Sequence, residues 1–220
     1  MDEKTWDRLL RRIEDGLVVP VVGPQVLTSA DESHSLETQI AKYLLELYEV
    51  ESSGDTLSPS RELNDVVIQI KRERGADFQD IYADIHDAIQ HLTSGKDAVT
   101  PEPVQQIAAI SSFNLYVTLT PDEQLVRCLR ARCAVNEIIY SPYLPTSEGS
   151  DLPRDWQSHH GEVQLLYLFG KSRVGPMFAI HDEDFLEYMH NIIARGSHVP
   201  GKFLDELQQR NLLLIGCNFP

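Results

Sequence analysis

The run Leu17-Val18-Val19-Pro20-Val21-Val22, closed by Gly23-Pro24, limits this chain more than any other segment. Four valines in six apolar positions show no alternation of polar and apolar residues, so both faces of the strand must be buried. That is the signature of a parallel sheet covered by helices on both sides. Four more segments read as strands: Phe113–Leu119, Val135–Tyr140, Val163–Phe169 and Leu212–Ile215. Amphipathic helical patterns separate them, and Gly23, Gly170 and Gly216 close three of the five at their carboxyl ends. The pattern predicts an α/β fold: a parallel Rossmann-like sheet flanked by helices, with ligands expected beyond the carboxyl ends of the strands.

The helices follow from spacing and stop signals. Trp6, Leu9, Leu10 and Ile13 mark a helix over about 3–15, stopped by Gly16. Ser35 precedes Leu36, Ile40, Tyr43, Leu44 and Leu47; Leu63, Val66, Val67 and Ile70 follow, closed by Gly75. Asp77 is placed to cap a helix through Ile89, and Thr100-Pro101 to start a short one ending near Ile110. Residues 31–110 therefore read as a helical insert between the first two core strands of a single domain. Further helices are expected over Asp122–Arg132, about Asp182 to Ala194, and around Phe203–Leu207, and polar connections over 50–60 and 141–158.

Charge narrows the partners. Against 34 Asp+Glu the 220-residue chain carries 19 Lys+Arg, a net charge of −15. Phosphate backbones and anionic lipid both require the opposite balance, so nucleic acid and membrane surfaces are excluded as generic partners. The first residues are acidic, and no stretch approaches the about 20 apolar residues of a membrane span. Cys128, Cys133 and Cys217 are odd in number and lack a CxxC box, which reads as packing thiols in a reducing compartment. The expected location is the cytoplasm.

The first strand–helix turn decides whether such a sheet can hold a dinucleotide, because its backbone N–H groups must reach a pyrophosphate. Here the turn is Gly23-Pro24-Gln25-Val26-Leu27-Thr28-Ser29-Ala30, with one glycine and with Pro24 removing a donor. A plain strand-ending turn is the simpler reading.

The order of segments nevertheless resembles a family. The opening from Trp6 through Val19–Leu27, the segment Phe113–Leu129, the pair Val163–Gly170 and Gly175–Met189, and the terminal Leu212–Pro220 occur in the order of sirtuin-like domains. The resemblance implies a Rossmann domain of the bacterial NADase type found in antiviral defence, with NAD⁺ or an NAD-derived nucleotide as the expected ligand. It also implies Gly23, Thr120, Asp122, Gly170 and Gly216 as cofactor-facing positions. The departures are concentrated at the chemistry. Thr120 and Pro121 stand where the family has Asn and an aromatic, Asp122 matches its acid, and Phe169 occupies the place of the catalytic His. Phe cannot exchange a proton, so general-base work at the ribose has no agent there. With the first-turn glycines also reduced, the site reads as degenerate, with no catalytic residue and no required cofactor.

Substitutes are poorly placed. His159-His160-Gly161 precedes a strand instead of ending it, and His181 beside Asp182-Glu183-Asp184 belongs to a helix start where Asp182 caps. Those three consecutive acids point in different directions, so they do not form a metal site. Arg127, Arg130 and Arg132, and Lys71, Arg72 and Arg74, read as surface pairs. The expected function is a non-catalytic scaffold, oligomerisation or nucleotide-sensing module. A protein partner or fused effector such as a TIR domain would carry any chemistry, and homo-oligomers are expected. The alternative is an NAD⁺ hydrolase with a relocated catalytic set. The stop at Pro220, where relatives continue into a helix, reads as part of a longer protein.

Overall fold

In the computed structural model, residues 3–28, 34–51, 57–58, 61–94, 99–145, 150–159, 161–196 and 198–217 are described. They form an α/β fold whose five strands are all parallel: β1 (Val18–Val22), β2 (Leu115–Thr118), β3 (Ala134–Ile139), β4 (Glu162–Tyr167) and β5 (Asn211–Ile215). The order across the sheet is β3-β4-β2-β1-β5, a Rossmann-like arrangement. Every residue of β1 is buried, as its unbroken apolar run requires.

Alternation along the strands assigns the two faces. Val18, Val22, Tyr116, Val163, Leu165 and Tyr167 point to one side. There they meet α2 (Leu36–Leu47), α3 (Glu62–Arg74), α4 (Phe78–Ser94), α5 (Glu102–Ala109) and α6 (Gln124–Arg130). Val19, Val21, Leu115, Val117, Ile138 and Leu166 point to the other, toward Leu152, Trp156, α7 (Asp182–Ile193) and α8 (Gly201–Gln208). Helix α1 (Glu3–Glu14) buries no residue fully; Leu9 and Ile13 rest on the first of these cores. Four helices, α2 to α5, thus stand between β1 and β2, where the helical insert is expected.

Several local signals act as their chemistry demands. The Ser35 hydroxyl accepts from the Thr38 N–H at the start of α2, and Gly75 ends α3 with φ of 63°. Two caps differ from expectation. Helix α5 begins one residue later, with Pro101 as N-cap. Helix α7 is capped by His181, not Asp182: His181 Nδ1 accepts from the Asp184 N–H, while the Asp184 carboxylate accepts from the His181 N–H. An imidazole acceptor with a carboxylate three residues on is a capping box built from unusual parts.

Pro20 has a topological consequence. In β1 the even residues turn their backbone groups toward β2, since Leu119 N–H donates to Val22 O, and the odd ones turn toward β5. Proline therefore removes a donor on the β2 side. Pairing of β1 with β2 covers only Val21 and Val22, whereas pairing with β5 covers all of Val18–Val22.

Candidate functional site

The chain runs from β1 to β2, out to the β3 edge, back to β4, and then across to β5 on the far side of β1. The direction of progression reverses beside β1, so the carboxyl ends of β1 and β5 flank the topological switch point where open α/β sheets bind ligands. Gly23 and Gly216 both lie there, and the structure brings them into contact. Gly23 N–H donates to Ile215 O at 2.9 Å, and Gln25 N–H donates to Gly216 O at 3.0 Å. Val26 N–H turns back to Gly23 O at 3.5 Å, and Leu27 N–H to Pro24 O at 3.0 Å, closing a 3-10 turn over Pro24–Val26. The N–H groups of Gly23, Gln25, Val26 and Leu27 are thereby engaged, and Pro24 has none. A Cβ on Gly23 would lie 2.4 Å from Gly216 O, and one on Gly216 would lie 2.6 Å from Val26 Cγ1. The glycines here permit backbone to pack on backbone, not backbone on ligand. Among the described residues, the stretch Gly23–Leu27 offers a dinucleotide no free backbone donor.

Beside this closed junction lies a narrow cavity of about 40 Å³. Pro24 and Leu27 from the β1 turn, Leu119, Thr120 and Pro121 beyond β2, Ile85 and Ile89 of α4, and Phe185 of α7 are among the groups that wall it. The volume suits a few waters at most. Two of its walls are polar: Thr120 and Glu37. Thr120 is buried, with its hydroxyl 3.0 Å from that of Thr118, so β2 holds its side chain in place. Glu37 sits in the first turn of α2. Burial among these apolar side chains, with the Glu62 carboxylate adding repulsion, pushes its carboxyl up to about 7. Sequence reading overlooked this residue, although Ala41 and Leu44, four and seven residues on, are both buried and mark Glu37 as inward-facing.

Asp122 and Phe169 lie outside this cavity's walls. Asp122 is buried, and its Oδ1 accepts from Gln124 N–H at 2.8 Å at the start of α6. Its Oδ2 makes no hydrogen bond among the described residues, nor do Arg127 Nη2 and Tyr167 Oη. Burial raises the Asp122 carboxyl above its ordinary value, against the pull of its hydrogen bonds and of the Arg127 charge. Phe169 packs edge-on to Phe185 with ring centroids 4.9 Å apart, and leans on Tyr188 at 6.2 Å. It is a packing residue. Gly170, at φ of 81°, lets the chain fold back so that Ala179 N–H reaches Phe169 O; a Cβ there would lie 2.2 Å from Met177 O.

The remaining candidates are held in structural contacts. His159 sits before β4, at the amino end of the sheet, between Asp155 and Glu162, while His160 lies outside the described residues. His181 and Asp184 form the α7 cap. The Asp184 carboxylate also accepts from Tyr82 Oη and Ile180 N–H, which holds it below the ordinary carboxylate range despite burial. Asp182 instead pairs with Arg61 at the surface, so the three acids do separate. Among the described residues no group of His, Cys, Asp or Glu could hold a metal ion. Arg127 donates to Thr93 O, Arg132 to Ala108 O, and Arg130 pairs with Glu137. No helix of the described residues is long and apolar enough to cross a membrane. The sequence matches no protein-family model and no curated protein.

Proposed function

We propose that this chain is a non-catalytic, sirtuin-like α/β domain that acts through protein association and not through NAD⁺ turnover. The observation that carries this reading is the closed switch point, where the Gly23 and Gln25 N–H groups donate to the carbonyls of Ile215 and Gly216. A pyrophosphate needs those donors, and the −15 charge of the chain offers no compensating field. Phe169, half-buried and packed on Phe185, supports the same reading at the position where the resemblance calls for a base. In the setting the resemblance implies, a cytoplasmic antiviral defence protein, catalysis would belong to a tethered effector such as a TIR domain. This domain would then hold copies or partners together.

The test is incubation of the purified chain with NAD⁺, with nicotinamide release followed and melting curves recorded with NAD⁺ and ADP-ribose. No release and no shift are expected. A ligand bound at about 100 times its dissociation constant would stabilise by about 2.7 kcal/mol, a readily measured shift. Nicotinamide release that Asp122→Ala abolishes would overturn the proposal.

A further inference from the structure

The two edges of the sheet are built differently. At β3 the edge carries Asn136 and Glu137, and Glu137 is tied to Arg130 and Lys171, which is how sheet edges ordinarily avoid one another. At β5 the edge is Asn-Leu-Leu-Leu-Ile, with no charge and no proline. Asn211 N–H donates to Leu17 O, and Ile215 O accepts from Gly23, so the odd residues of β5 face β1. The backbone groups of Leu212 and Leu214 therefore point away from the sheet. Their side chains are 49% and 47% exposed.

An apolar surface continues from this edge. Leu212 shares an open groove of about 440 Å³ with Ile192 and Ile193 of α7 and Leu204 and Leu207 of α8. Ile193 is 77% exposed, and Leu186, two turns earlier in α7, is 70% exposed. With Met189, Leu212 and Leu214 these side chains present on the order of 500 Å² of apolar surface, against about 800 Å² per partner in a standard interface.

Charge selects the occupant. Residues 186–215, which carry the exposed apolar side chains of α7 and all of α8 and β5, contain three basic and three acidic residues, 3 − 3 = 0. The rest of the chain carries the whole net charge of −15. Two copies repel over most of their surface, and this neutral flank is where they can approach at least electrostatic cost.

We propose that a second copy of this chain docks here, its β5 adding antiparallel to β5 across a two-fold axis at Leu213. In that register Leu212 of each copy faces Leu214 of the other, and their outward N–H and C=O groups form a hydrogen-bonded pair on each side of the axis. The two sheets become one, and the interface is isologous. The proposal rests on the association reading above and names its surface.

The experiment is sedimentation equilibrium of the full chain, wild type and variants, with disulfide trapping. Wild type is expected to have twice the chain mass. Leu212→Lys, which adds a charge to each side, and Leu214→Pro, which removes an outward N–H without touching the β1 pairing, are each expected to give monomers with cooperative melting. Leu213→Cys is expected to cross-link to its mate, because residues on the axis have Cα atoms about 4.5 Å apart. Leu212→Cys is not, and the three native cysteines set the background. A monomeric wild type, a dimer indifferent to both β5 variants, or no Leu213→Cys cross-link overturns the proposal. A monomer that releases no nicotinamide removes this interface alone, whereas a dimer that consumes NAD⁺ removes the non-catalytic reading.

Discussion

Glu37 makes the stability of this fold depend on pH in a direction opposite to most carboxylates. Its carboxyl is raised from the ordinary 4.5 to about 7 by burial first and by Glu62 second. The folded chain thus keeps a proton that the unfolded chain releases, and stability falls as pH rises through that interval, levelling off above about 7. The difference of about 2.5 in pKa corresponds to roughly 3 kcal/mol, an upper value because Glu37 retains some contact with solvent. Glu37→Gln keeps the shape and cannot ionise. Wild type and variant should unfold at the same urea concentration near pH 4.5 and diverge above it, the variant being more stable by up to about 3 kcal/mol at pH 8. In thermal melts that is about 6–12 °C for a chain of this length. The comparison cancels other titrating groups, including Asp122, which acts in the same direction, and Asp184, which acts in the opposite one. Curves that stay parallel from pH 4.5 to 8 would refute the placement of Glu37 in an apolar wall.

Other perturbations test other parts of the account. Gly216→Ala should cost at least about 2 kcal/mol in urea unfolding, since a Cβ at φ of 63° would lie within 2.8 Å of Val26 N. Asp184→Ala should cost about 3 kcal/mol, because it strips three donors, Tyr82 Oη and the Ile180 and His181 N–H groups, of a buried acceptor. Asp184 is depressed, so its contribution should be present above the ordinary Asp value and fade as pH falls through the lowered one. The depression of Asp184 is the part of this cap that the pH dependence reads. Phe169→His should restore no nicotinamide release and should destabilise by about 1–3 kcal/mol through the lost packing on Phe185.

Much of the fold was legible because its signals are local. The five segments became the five strands, displaced by at most two residues at their ends; burial on both faces accounts for the continuous apolar run of β1, whereas β3 carries Asn136 and Glu137 and β5 exposes Leu212 and Leu214. Ser35, Gly75 and Asp77 behave as their side chains dictate, with Asp77 Oδ1 accepting from Gln79 N–H. The order of strands was not legible, because parallel pairing is decided by contacts between residues up to about two hundred positions apart. The same limit applied to the site. The sequence shows that Gly23 is followed by Pro24; only the fold shows that β5 supplies the carbonyls that engage the Gly23 and Gln25 donors. His181 as a cap escaped notice because imidazole is a rare N-cap, and its role depends on Asp184 being buried against Tyr82.

The central claim is that the carboxyl end of β1 is closed by β5, and the backbone amides of Gly23 and Gln25 report on it directly. Hydrogen exchange followed by NMR, with and without millimolar ADP-ribose, reads both. Slow exchange at both amides and unchanged resonances on adding ADP-ribose are the predicted result. Rapid exchange in the free protein, with protection and shifted resonances appearing when ADP-ribose is added, would mean that the donors are open to a pyrophosphate and would contradict the account.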